Sequence, residues 1–382
     1  MKIFDSLSRK KSHFLFKGNI IKIFICGPTV YDYCHLGHAR IFFFYDLMTR
    51  YLLFKGLEPM VIVNLTDIDP KIATRANIQG LSPEALANKY IDELYTDLLS
   101  CGITTTFNFV RVSDYVKTAA KLVASLLDRK LAYSRNGNVY LDTTALRSYG
   151  KLSQLSVKDL DNRRLDIGPG KLNPRDILIW NASDEFGQKY DDKILGSGIP
   201  WWHMQDTSVA MSNFNGIYDI HGGAKDLIYP HHESHLAQLK VLTSTPSPIR
   251  YWTHVGLVNI KGNKMSNSEG NTIRIRDALK RYNSNTLRLY FSSQHYREPL
   301  AFSQSKLHKF EIIDKTISNT MANVLSRRES NNGSKLLAKF IQYIEDDFNT
   351  SSALSILIDT ARSHNAVNDD LKNMVNIFGL RY

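Results

Sequence analysis

The feature that most constrains the fold lies in the first 65 residues. NIIKIFIC, residues 19–26, is a β-branched and aromatic run that stops at Gly27-Pro28, as a buried strand does before a turn. HLGHAR at 35–40 then opens a helical pattern reaching about Gly56. After the short GLEP connection, MVIVNL at 60–65 reads as a second strand. Strand, helix and parallel strand make a right-handed βαβ unit, so the expected class is α/β with a doubly wound parallel sheet. IYDIHGG (217–223) and WTHVGLV (252–258) are further strands expected in that sheet. Residues from about 83 to 128 read as mostly helical. Between 130 and 197 short alternating strands such as GNVYLD and the charged run KDLDNRRLDIGPGK predict an exposed, inserted subdomain. From about 303 onward the period is helical.

Composition narrows the class of partner. With 43% hydrophobic and 11% aromatic residues among 382, the chain is a folded protein and not a disordered one. A net charge of +11 fits a polyanionic partner such as nucleic acid, although the same excess occurs on proteins with none. Three cysteines, Cys26, Cys34 and Cys101, are too few and odd in number for a disulfide framework, which points to a reducing cytoplasm. MKIFDSLSRKKSHF at the start lacks the apolar centre of a signal peptide. The most apolar segment, IFFFYDLMTRYLLF, is broken by Asp46 and Arg50 and reads as an amphipathic helix; no run approaches the roughly 20 apolar residues that cross a bilayer. The expectation is a cytoplasmic protein, monomeric and without membrane contact.

Three short stretches carry chemistry. HLGH places His35 and His38 at a helix N-terminus, where free backbone N–H groups favour an anion and imidazoles can hydrogen-bond phosphate oxygens. Gly37, lacking a side chain, lets a flat ring such as adenine lie against the backbone. KMSNS at 264–268 puts Lys264 on a glycine-bearing loop able to close over a triphosphate, with Ser266 and Ser268 beside it. YPHHESHLAQ at 229–238 sets His231 and His235 four apart, on one face of a helix, with His232 turned roughly 100° away. Taken alone, two such histidines favour an ordinary polar helix face over zinc, until further ligands are found.

Taken together, FICGPTVYDYCHLGHAR, VNLTDIDPKI, IPWWHMQD, YDIHGGAKDLIYPHHE, KMSNSEGNTIRIRD, HYREPLAFS and DDFNTSSAL run in order over nearly the whole chain. The pattern resembles the class I aminoacyl-tRNA synthetases, whose signatures are HIGH and KMSKS, and within them the cysteinyl-tRNA synthetase family. The resemblance implies a Rossmann-like catalytic domain in two halves (1–112 and 198–255), an inserted connective subdomain (113–197), a KMSKS-type loop and stem-contact region (256–302) and a helical bundle (303–382). It implies ATP, Mg2+ and Zn2+ as cofactors, and L-cysteine and tRNA(Cys) as substrates. The catalytic residues would be His35, His38 and Lys264. Gly37, Gly222, Gly223, Ser266 and Ser268 would serve ATP, and Thr66, Trp202 and Asp226 would surround the amino acid.

In this family zinc binds the substrate thiolate directly, so that serine is rejected without editing. Carried over by position, the ligands are Cys26, Asp206, His231 and His235. Asp206 stands where the family has cysteine, and His235 where it has glutamate. The expectation is a zinc retained with exchanged ligand types; the alternative is a decayed site. Asn267 replaces the second lysine of KMSKS, with Lys261 or Arg274 as compensating charges. The bundle ends at NIFGLRY, before the family's usual anticodon-binding domain. The expectation is that tRNA recognition would rest on the acceptor arm, the bundle and the positive surface, or on a partner supplied in trans. Three other readings stand beside this one: a cysteine ligase using an amino-sugar or other small amine, a non-catalytic cysteine- or RNA-binding paralogue, and a pocket retuned toward another amino acid.

Overall fold

The computed structural model describes the chain apart from residues 17, 105–106, 147–148, 163–169, 183–187, 266–269, 326–334 and 364–367. Its centre is a five-stranded, all-parallel sheet. The strands are β1 (Ile20–Ile25), β2 (Glu58–Leu65), β3 (Phe107–Arg111), β4 (Tyr218–Ala224) and β5 (Ile249–Val255), in the spatial order β5-β4-β1-β2-β3. Helix α1 (Leu36–Phe54) makes the crossover between β1 and β2. Two further helices matter for the site, α2 (Trp202–Phe214) before β4 and α3 (His231–Thr243) after it. The doubly wound parallel sheet expected from the βαβ pattern is present.

Two local expectations change. The region read as mostly helical contains β3, which lies between the helices Pro83–Ser100 and Val116–Asp128. FNFVR forms an edge strand with most positions half-exposed, so it lacks the fully apolar run by which β1 and β2 announce themselves. Second, α1 is buried nearly all round and is not amphipathic. Asp46 is fully buried and paired with Arg288 and Arg50. Its charge is compensated inside the protein, so it does not mark a solvent face.

Residues 132–200 form a separate five-stranded sheet in which every neighbouring pair is antiparallel. Ile177, Ile179, Trp180 and Ile199 of this sheet share a buried cluster with Val123 and Leu126 of the preceding helix. Helices Gln304–Leu325, Lys335–Ile344, Thr350–Arg362 and Asn368–Phe378 follow. Their apolar faces join α1 in the main core through Phe340, Phe348, Leu357 and Phe378. Among the described residues no helix is long and apolar enough to cross a membrane.

Candidate active site

Chain connections leave β1 toward β2 and β3 on one side, and reach β4 and β5 on the other. A crevice opens at such a switch point, beyond the carboxyl ends of β1 and β4. There a cavity of about 630 Å³ is lined by Cys26, His35, His38, Trp202, Asp226 and Lys264 among others.

The HLGH motif forms the cavity mouth. His35 is the N-cap of α1 and closes a capping box with His38. The Gly37 N–H donates to His35 Nδ1 (3.0 Å) and the His35 N–H donates to His38 Nδ1 (3.3 Å). With both Nδ1 atoms accepting, the proton of each neutral ring sits on Nε2, which becomes the free donor. Burial, with the Lys264 charge adding to it, lowers His35 to about 4. Burial and the neighbouring His35 hold His38 well below the usual range. Both rings are therefore neutral donors near pH 7. A Cβ on Gly37 would lie 2.8 Å from His35 Cε1, so this glycine makes room for the capping ring. Lys264 reaches across the mouth to pair with Asp226, both partly exposed. Ser266, Ser268 and Asn267 lie outside the described residues.

Gly222 and Gly223 at the end of β4 have a second reason to lack side chains. A Cβ would meet the Tyr45 hydroxyl at 2.1 Å from the first and His232 Cε1 at 2.9 Å from the second. The side-chain space expected to admit a nucleoside is filled by protein. Thr66 is nearly buried, pairs its backbone with Pro28 and Val30, and does not line the cavity.

Deeper in, α2 and α3 pack side by side and bury a polar cluster beneath Trp202. The Trp202 ring stacks on His231 (centroids 4.5 Å apart, 6° between planes). His231 Nε2 lies 3.0 Å from Asp206 Oδ2, and His231 Nδ1 lies 3.2 Å from His203 Nδ1. Asp206 Oδ1 accepts from Asn64 Nδ2 at 2.8 Å. Burial pushes the Asp206 carboxyl up, but His231, His235 and a hydrogen bond from Cys26 outweigh it and hold it below its ordinary value. Burial and the Asp206 carboxylate push the Cys26 thiol well up. A cation placed among these groups would reverse that and favour the thiolate. Cys26, His231 and His232 offer ligand atoms that all lie within 4.8 Å of one another.

His235 does not join this group. Its Nδ1 contacts Thr207 Oγ1 (2.9 Å) and its Nε2 contacts the Tyr218 hydroxyl (2.7 Å), so both ring nitrogens are engaged elsewhere. His232, set aside on helical geometry, lies instead with Cys26 and His231. The sequence reading also passed over Asn64, His203 and His254. The density of histidine in WWHMQD, HHESH and WTHV was the available signal. Cys34 and Cys101 are buried packing residues, with the Cys101 thiol pushed up to about 12 by burial.

The parallel sheet, the crevice at its switch point and a histidine-capped helix facing a loop lysine define a class I synthetase catalytic domain. The family model of the tRNA synthetases class I (C) catalytic domain matches residues 14–311, and that of the DALR domain residues 339–380. The chain belongs to the cysteinyl-tRNA synthetase family of class I. It is 34% identical to the cysteine–tRNA ligase of Clostridioides difficile, an alignment covering 97% of this chain and 83% of the relative. With the cysteine–tRNA ligase of Coxiella burnetii the figures are 35% identity, 100% and 86%. The fold is similar to a Mycobacterium tuberculosis methionyl-tRNA synthetase in complex with methionyl-adenylate. That match has a TM-score of 0.66 and 12% identity, and covers 95% of this chain and 89% of the other. An Agrobacterium radiobacter LeuRS ternary complex gives a TM-score of 0.68 at 10% identity, covering 95% and 83%.

Proposed function

We propose that the chain carries out the reaction for which its relatives are named, ATP-dependent activation of L-cysteine followed by transfer to the 3′ end of tRNA(Cys). The observation that carries this is the mouth of the cavity. Two neutral histidines held by a capping box present Nε2–H donors on one wall, and a lysine ammonium faces them from the other. In the first step a carboxylate oxygen of cysteine bonds to the α-phosphorus and the bond to the pyrophosphate oxygen breaks. Negative charge builds on the phosphate oxygens, which His35 and His38 stabilise by hydrogen bonding without changing protonation state. Lys264 leaves Asp226 to follow the pyrophosphate, and the freed Asp226 carboxylate faces the substrate ammonium or ribose. Mg2+ accompanies the nucleotide. In the second step a ribose hydroxyl of the tRNA terminus bonds to the activated carbonyl and AMP departs.

Cys26, Asp206 and His231 suit zinc, combining a thiol, a carboxylate and an imidazole already in mutual contact. When bound, the ion would supply a soft Lewis acid for the substrate thiolate. Trp202 closes over this corner and excludes water. The relatives support neither the amino-sugar ligase nor the non-catalytic reading.

The test is amino-acid-dependent ATP–pyrophosphate exchange with cysteine and serine side by side, without tRNA. Exchange with cysteine and not serine is the expected result. Absence of exchange with any amino acid, in zinc-replete folded protein, would overturn the reading.

A further inference from the structure

We propose that His232, and not His235, completes the metal set beside Cys26, Asp206 and His231; this rests on the zinc reading above. Four observations carry it. His232 Nε2 is buried and without a hydrogen-bond partner, although His232 itself is fully buried. A polar nitrogen in that state costs free energy unless something fills its lone pair. The His232 ligand atom lies within 4.8 Å of those of Cys26 and His231. Tetrahedral zinc with bonds near 2.0–2.3 Å separates its ligand atoms by about 3.5 Å, so closure of these three around an ion asks for a contraction of only about 1 Å, with Asp206 joining from its contact with His231 Nε2.

The third observation is the shell outside these ligands. A metal-binding imidazole almost always donates its other N–H to a fixed partner, and ligating carboxylates are likewise held. Here His232 Nδ1 lies 2.8 Å from His254 Nε2, and His254 Nδ1 lies 2.8 Å from Ser6 Oγ. His231 Nδ1 faces His203, and Asp206 faces Asn64. Each of the three has a polar partner outside the proposed set. A metal on His232 Nε2 sets one consistent proton order: His232 Nδ1–H donates to His254 Nε2, and His254 Nδ1–H to Ser6.

Fourth, His235 has no lone pair to offer. Thr207 donates its hydroxyl proton to the His203 carbonyl (3.3 Å), so its oxygen accepts from His235 Nδ1–H. Tyr218 then donates to His235 Nε2. The Tyr218 oxygen accepts from His221 Nδ1–H at 2.7 Å, which uses its remaining capacity. Recruiting His235 would break this chain in a fully buried setting. From adjacent positions at the start of α3, His231 packs against Trp202, His203 and Asp206 of α2, while His232 packs against His221, Trp252 and His254 of the sheet.

The experiment is cobalt(II) and zinc binding by the full chain, with ion stoichiometry from elemental analysis and thiolate-to-cobalt absorption as the spectroscopic readout. Wild type and His235→Gln are expected to hold about one ion per chain with the same spectrum. His232→Ala is expected to lose affinity by more than the 10–100-fold typical of an outer-shell change. To separate ligand loss from unfolding of the cluster in His232→Ala, His232→Cys and His235→Cys are compared as ligand exchanges. The first should add a second thiolate-to-cobalt transition, and the second should not. Retention by His232→Ala with loss in His235→Gln, or a new transition in His235→Cys alone, overturns the proposal. Absence of metal from wild type would instead sink the zinc reading beneath it.

Discussion

One histidine pair lines the cavity, another is buried behind it, and the two solve different problems. His35 and His38, at its mouth, use backbone N–H groups as partners for Nδ1 and leave Nε2 free. His231 and His232, in the buried floor behind it, use side chains: Asp206, His203 and His254. Backbone partners fix a tautomer at little cost in buried polarity, so the mouth can remain open to solvent and ligand. Side-chain partners require further partners in turn, and the floor accordingly continues through Asn64, Ser6, Thr207 and Tyr218. On the proposed function, the mouth is organised for transient charge and the floor for permanent occupancy.

The largest expected effect separates the two directly. His38→Ala removes one donor aimed at developing phosphate charge, and should lower cysteine-dependent pyrophosphate exchange by about 10²–10³-fold. Loss of its cap contact should cost only about 1 kcal/mol of stability by thermal melting. An activity loss matched by global unfolding would erase the distinction.

Acid should act on the floor. Burial holds His235 and His254 at about 3, below the free value near 6.5. As pH falls below about 6.5 the unfolded chain takes up protons that these native rings cannot, so stability is full above that pH and falls beneath it. Each contributes a loss of about 1 kcal/mol between pH 6.5 and 5.5, measurable by urea unfolding of metal-depleted protein. A flat profile over that interval would mean that the floor is wetter than its packing implies.

The smallest effect belongs to the mouth again. Asp226→Asn removes the partner of Lys264, yet both groups are substantially exposed, so stability should move by less than about 1 kcal/mol. The KM for ATP or cysteine should change instead. A large drop in melting temperature would show that this pair is structural.

How much of this was legible beforehand follows the same division. The βαβ unit and the HLGH motif could be read because their determinants are local: a β-branched run, a glycine-proline stop, and a cap three residues from its partner. Lys264 could be read from its loop. The edge strand Phe107–Arg111 could not, since half-exposed strands carry no continuous apolar run. His232 and His235 show the limit most clearly. Helical spacing correctly put His231 and His235 on one face, but ring direction depends on Thr207 and Tyr218, which arrive from other elements. The glycines at 222 and 223 were legible as positions without side chains, though not as the seats of Tyr45 and His232.

Helix α1 has a consequence beyond packing. At 19 residues it is about 28 Å long, with His35 fixed at one end. Toward the other end Asp46 binds Arg288, and the Tyr51 hydroxyl donates to Glu345 at 2.7 Å. One rod thus carries the HLGH motif at its start and contacts with Arg288 and Glu345 farther along. In hydrogen exchange such a rod is expected to open as a single unit. Its amides would slow together when nucleotide binds at one end, giving the C-terminal helices a share in the protection conferred by a ligand they never touch.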